Sequence, residues 1–117
     1  MGKSPTRQDL LQGTLDLLVL KTLSLGPQHG WGISQRIQQR SREVLEVNQG
    51  SLYPALHRLE NQGILKATWG ETDTGREAKF YCVTRKGQTQ LETEAAGWQR
   101  LTQAVSLILK MSEGGAG

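Results

Sequence analysis

Ser51, Tyr53, His57 and Arg58 fall within the stretch GSLYPALHRLENQG, residues 50–63, in which Leu52, Ala55, Leu56 and Leu59 recur at helical spacing. Their hydroxyl, imidazole and guanidinium groups occupy the surface that the apolar stripe leaves over, with Tyr53 and His57 one turn apart. This is the chemistry of hydrogen bonding and charge pairing with a polar partner, not of bond making. The chain has no nucleophile elbow, no phosphate-binding glycine loop and no carboxylate–histidine set with catalytic spacing, so it does not read as an enzyme. His57 and Glu60 lie three residues apart, but a pair without further ligands does not make a zinc site, and no metal or cofactor is implied.

The elements that must position these groups follow from the same kind of reading. Pro54 lacks an N–H and is harmless only in a first turn, so the helix is expected to begin near Gly50 or Ser51 and to run over residues 50–62, with Gly63 as its terminator. Gln49 stands just before it. Upstream, Ser4-Pro5, or Thr6 followed by Asp9, supplies start signals for a first helix. Its stripe is Leu11, Leu15, Leu18, Thr22 and Leu25, widened by Leu10, Leu17 and Leu20, and Gly26-Pro27 ends it. A second helix is expected over Gly30–Arg40 with Trp31, Ile33 and Ile37 inward, followed by a short extended piece at Leu45-Glu46-Val47.

Downstream, residues 64–69 and 79–84 read as the strands of a β-hairpin, with a long polar tip at residues 70–78. Trp69, like Trp31, reads as a packing residue, and Cys82 as an inert strand thiol. Thr84 can cap a last helix reaching about Met111. Its seam is Leu91, Ala95, Trp98, Thr102, Val105 and Leu109, flanked by Leu101 and Ile108. Such a helix is about 37 Å long, more than a small head can cover, so the surplus apolar surface needs a partner. Residues 112–117 form a small, glycine-rich tail that is expected to be disordered.

The modest basic excess on its own indicates little beyond solubility and a mild affinity for polyanions, and its distribution says more. The formal charge of the 117 residues is +3, and the excess is concentrated early: residues 1–87 hold twelve Lys and Arg against eight Asp and Glu, residues 88–117 two against three. A lone cysteine and no secretory pattern suggest a reducing, cytoplasmic home. The longest apolar window, Leu10 to Leu25, is broken by Asp16 and Lys21 and is too short to cross a membrane.

The order helix, helix, short strand, helix, hairpin, long helix matches a winged helix-turn-helix followed by a dimerisation helix, a fold that is mainly α with a small β-hairpin. Residues 1–84 would form the DNA-binding domain and residues 85–111 the dimerisation helix. In such a module the third helix lies in the major groove of double-stranded DNA, which accounts for polar groups on a leucine-backed helix. Gln49, Ser51, Tyr53, His57 and Arg58 are then the reading residues.

The same residues resemble a known family. GSLYPALHRLE with Gly63-Ile64-Leu65 is similar to the GxLYPxLxRLExxGLI segment of the PadR-like transcriptional regulators. His29-Gly30-Trp31 resembles that family's HGY, and Phe80-Tyr81 with Thr84-Arg85-Lys86-Gly87 resembles its YY and TxxG run. The resemblance spans roughly Leu10 to Leu109 and, with one C-terminal helix, points to the shorter subgroup. It implies a homodimeric repressor on a pseudo-palindromic operator, wing contacts to DNA from Arg76 and Lys79, and dimerisation through Leu91, Ala95, Trp98, Val105, Ile108 and Leu109. Some members of that subgroup bind planar aromatic compounds near a tryptophan of this helix, for which Trp98 is the candidate. Phosphate contacts from Arg58, Arg76 and Lys79, joined by Arg36 or Lys66, would make affinity salt-dependent. The rival is a winged-helix module that docks a protein instead of a duplex.

Overall fold

Residues 12–112 are described by a computed structural model. The expected helix-start signals, Leu10, Leu11 and most of the tail lie outside them. Helix α1 (Gln12–Ser24) is apolar nearly all round, and the structure resolves which sides are covered: Leu15, Val19, Leu20 and Leu23 are buried. Leu18 and Thr22 are only half-buried, and Leu25, beyond the last turn, is exposed. A stripe drawn through Leu18, Thr22 and Leu25 is therefore rotated from the true one. Several leucine rows fit a helix this rich in leucine, and packing decides among them.

Strand β1 (Gln28–His29) leads directly into α2 (Gly30–Arg40), where the side chain of His29 caps the helix by accepting from the Gly32 N–H at 3.2 Å. The residues expected as a short strand, 45–47, form no ladder. Leu45 and Val47 nevertheless pack on the core from an irregular segment, and the Leu45 N–H donates to Ser41 Oγ at 2.9 Å. The short strand is instead β1, which is too brief to have a periodicity of its own.

Helix α3 (Gln49–Asn61) starts one residue earlier than expected because Asn48 caps it, its side chain accepting from the Gly50 N–H at 2.7 Å. Pro54 consequently lies in the second turn, not the first. The carbonyl of Gly50 loses an intrahelical donor there, and Gly50 is exposed, so water can take its place. Gly63, with φ +76°, supplies the left-handed residue that ends the helix. The buried face is Leu52, Ala55, Leu56 and Leu59, each leucine contributing about 2 kcal/mol of apolar burial.

Strands β2 (Leu65–Glu71) and β3 (Glu77–Val83) form the hairpin in the register Leu65 opposite Val83 to Glu71 opposite Glu77. The ladder thus extends through residues 70–71 and 77–78, and the tip is a tighter turn than expected, closed by Thr72 N–H to the Arg76 carbonyl at 2.8 Å. β1 adds to the other edge of β3, giving a three-stranded antiparallel sheet in the order β1-β3-β2. Leu65 and Tyr81 close the core from the sheet.

Helix α4 (Arg85–Leu109) begins at Thr84, whose hydroxyl accepts from the Gly87 N–H at 3.1 Å and donates to the Gly63 carbonyl at 2.7 Å. Gly87 is buried where a Cβ would strike the Ile64 carbonyl, so α4 sits directly on the link between α3 and β2. It packs against α1 and β3 and then leaves the head, which gives the molecule its 61 × 30 × 22 Å extents. No helix among the described residues is long and apolar enough to cross a membrane.

Candidate nucleic-acid interface

The outer face of α3 forms one wall of an open cleft of about 800 Å³. Tyr53 and His57 come from α3, Trp31 from the first turn of α2, and Arg76 and Lys79 from the hairpin, with Tyr81 as part of the floor. The structure thus gathers four of the residues expected to touch DNA: Tyr53, His57, Arg76 and Lys79. Ser51 is exposed on α3 but outside this cleft, and Gln49 is half-buried, its amide donating to Ser34 Oγ at 2.9 Å. That hydroxyl in turn donates to the Trp31 carbonyl, so the first residue of α3 is tied to α2. Tyr53 is exposed, yet its ring lies where a Cβ on Gly30 would be, so the absence of a side chain at Gly30 makes room for it.

Arg58, also expected to touch DNA, is not among the residues that line this cleft. Its guanidinium turns to α1, where it grips Asp16 in a two-pronged bridge, Nη1 to Oδ2 at 3.0 Å and Nη2 to Oδ1 at 2.8 Å. Asp16 is buried, and the hydrogen bond it accepts holds the Arg58 guanidinium above its ordinary pKa. The face shared with His57 on a helical wheel did not reveal this, because the acceptor lies 42 residues away in sequence.

Lys79 is also engaged. Its ammonium donates to Glu60 at 3.1 Å and stands 5.6 Å from the centre of the Tyr81 ring. The bond to Glu60, chiefly, raises the pKa of Lys79, while burial pushes the Tyr81 phenol up. Both side chains of the Lys79–Glu60 bridge are about one-third exposed, so water weakens it and the lysine stays accessible at the cleft wall. At the hairpin end Glu71 lies directly across from Glu77, a like-charge pair that flanks Arg76 and tempers the basic character of the wing.

Trp31 is expected as a packing residue, and the structure places it on the surface, 58% exposed at the edge of the cleft. Trp69, also read as packing, is exposed on β2. The sequence signal that bears on Trp31 is its place in the His29-Gly30-Trp31 run at the start of α2.

The seam residues of α4 divide. Leu91 is buried in the head's own core and is removed from the expected dimer surface, because it belongs to the core cluster that the head's other elements close over. Ala95 is half-buried, whereas Trp98, Val105, Ile108 and Leu109 are exposed. Trp98 and Leu101 line an apolar groove against Gly13, Thr14 and Leu17 of α1. Among the described residues no three His, Cys, Asp or Glu side chains gather as a metal site would require.

A family profile described as the transcriptional regulator PadR-like family matches residues 19–93. A transcriptional regulator of Mycobacterium tuberculosis is 34% identical over 77 residues, covering 66% of this chain and 68% of that protein. Among solved structures, a transcriptional regulator from Clostridium thermocellum superposes with a TM-score of 0.76 at 26% identity, over 85% of this chain and 93% of the other. A PadR-like transcriptional regulator from Bacillus cereus gives 0.75 at 25% identity, over 87% and 97%.

Proposed function

The chain belongs to the PadR-like family of transcriptional regulators, and from this premise we propose that it is a cytoplasmic repressor that binds a pseudo-palindromic operator as a homodimer. The observation that carries the reading is the cleft: a leucine-backed helix presents Tyr53 and His57 beside a wing bearing Arg76 and Lys79. With Ser51, these groups suit an α3 lodged in the major groove while the wing approaches the backbone. The exposed apolar outer half of α4 supports pairing through Trp98, Val105, Ile108 and Leu109, with Ala95 at the margin. Two heads together would supply the positive charge that one chain of +3 lacks.

Residues 1–84 are then the DNA-binding domain and residues 85–111 the dimerisation helix. The groove beside Trp98 is the proposed seat of a planar aromatic effector, and quenching of tryptophan fluorescence by such compounds tests that part. Genome-wide footprinting of bound DNA, followed by gel-shift titration on the recovered sites, tests the whole. A paired-site motif bound far more tightly than random duplex, with affinity falling steeply with salt, is the expected result. Binding indistinguishable from random DNA would assign the fold to protein docking instead.

A further inference from the structure

Among the described residues, side-chain ties run from α3 to α2, β3 and α1. Gln49 reaches Ser34 of α2, Glu60 receives Lys79 of β3, and Arg58 grips Asp16 of α1. The last differs in kind. It is two-pronged, so it fixes direction as well as distance, and its acceptor is almost wholly covered, with an Asp16 side chain 11% exposed against 32% for Arg58. Buried leucines seat the helix by close packing, and a planar fork adds a directional constraint to that seating. Asp16 itself is set between Leu15 and, one turn on, Val19 and Leu20, all within the core. Asp16 is not among the residues that line the cleft.

Resting on the DNA-binding reading above, we infer that Asp16 is a positioning residue for operator recognition: through Arg58 it sets the rotation of α3 that presents Tyr53 and His57 to the groove. An acidic group of α1 is on this account needed for tight binding of a polyanion. The opposite account, in which Arg58 neutralises a phosphate and Asp16 merely competes for it, predicts the opposite sign. Asp16→Asn removes one negative charge per chain and the carboxylate that the guanidinium grips, which should strengthen attraction to any DNA.

The test titrates the full-length protein and its Asp16→Asn, Arg58→Lys, Arg58→Ala and Asp16→Asn/Arg58→Ala variants against a footprinted site and a random duplex at several salt concentrations. Positioning predicts that Asp16→Asn loses about tenfold in affinity for the site, a size typical of changes transmitted through packed networks, with no loss on random DNA. Arg58→Lys, which keeps the charge and loses the fork, should lose as much, and the double variant should be no worse than either single. Tighter or unchanged site binding by Asp16→Asn overturns the inference, as do losses that add, or an Arg58→Ala salt dependence shallower by about one counterion. Should circular dichroism find Asp16→Asn unfolded, Arg58→Lys decides: a loss confined to the specific site supports positioning, and full retention refutes it. A wild-type protein that does not prefer the site sinks the DNA-binding reading and the inference with it. A wild type that does prefer it, alongside an unaffected Asp16→Asn, sinks the inference alone.

Discussion

Helix α3 and the outer half of α4 carry the same kind of apolar repeat and meet opposite fates. Leu52 and Leu56 of α3 are fully buried, while Ile108 and Leu109 of α4 are 64% and 78% exposed. The cause is geometric. α3 lies against α1, α2 and β2, whereas among the described residues α4 packs on α1, β3 and the link before β2 through its N-terminal part, and its last turns are exposed. An apolar period thus reports that a face is to be covered, without saying which surface covers it. A contiguous row of exposed Leu, Ile and Val on a helix end is what an interaction surface looks like.

The contrast can be broken at its strong end first. Leu56→Ala should destabilise the head by about 2–5 kcal/mol through lost burial and the cavity left behind, read as a lower denaturant midpoint. A loss under about 1 kcal/mol would mean that the core does not depend on α3 as described.

Val105→Glu sits on the other helix and should leave the stability of the isolated head within about 0.5 kcal/mol, the usual range for a solvated surface change. The reference is wild-type protein diluted until its melting no longer depends on concentration. Its effect should be on assembly, with sedimentation giving monomers where the wild type gives dimers. An unchanged dimer would move the interface off this face.

Trp98→Ala, at the boundary between covered and uncovered α4, should perturb the fold least and remove most of the fluorescence quenching caused by planar aromatic ligands. Quenching retained in full would place those ligands elsewhere.

Much of this architecture was legible in the residues. The stripe Leu52, Ala55, Leu56 and Leu59, the Gly63 stop, the hairpin and the Thr84 cap all arise from local propensity and periodicity, which a sequence states directly. β1 was not legible because two residues have no period, and its pairing is dictated by β3 some fifty positions later. The rotation of the buried face of α1 escaped for a related reason, since a helix leucine-rich on most sides offers several equivalent stripes. In the site, Tyr53, His57, Arg76 and Lys79 could be grouped by element order, but the Arg58–Asp16 and Lys79–Glu60 pairs join segments that only folding brings near. Leu91 belongs to the same heptad-like row as Val105, and nothing local distinguishes the turn that the head covers from the turns beyond it.

His29 ends β1, caps α2 and meets Phe80 of β3 edge-on, with ring centres 5.2 Å apart. One residue thereby stitches the wing to the start of the helical pair. For anyone exchanging hairpins between relatives, the natural cut points at the hairpin's two ends split this unit. A graft of residues 65–83 alone would pair with the recipient's own edge segment and lose the His29–Phe80 contact, so Gln28 and His29 belong with the transplant.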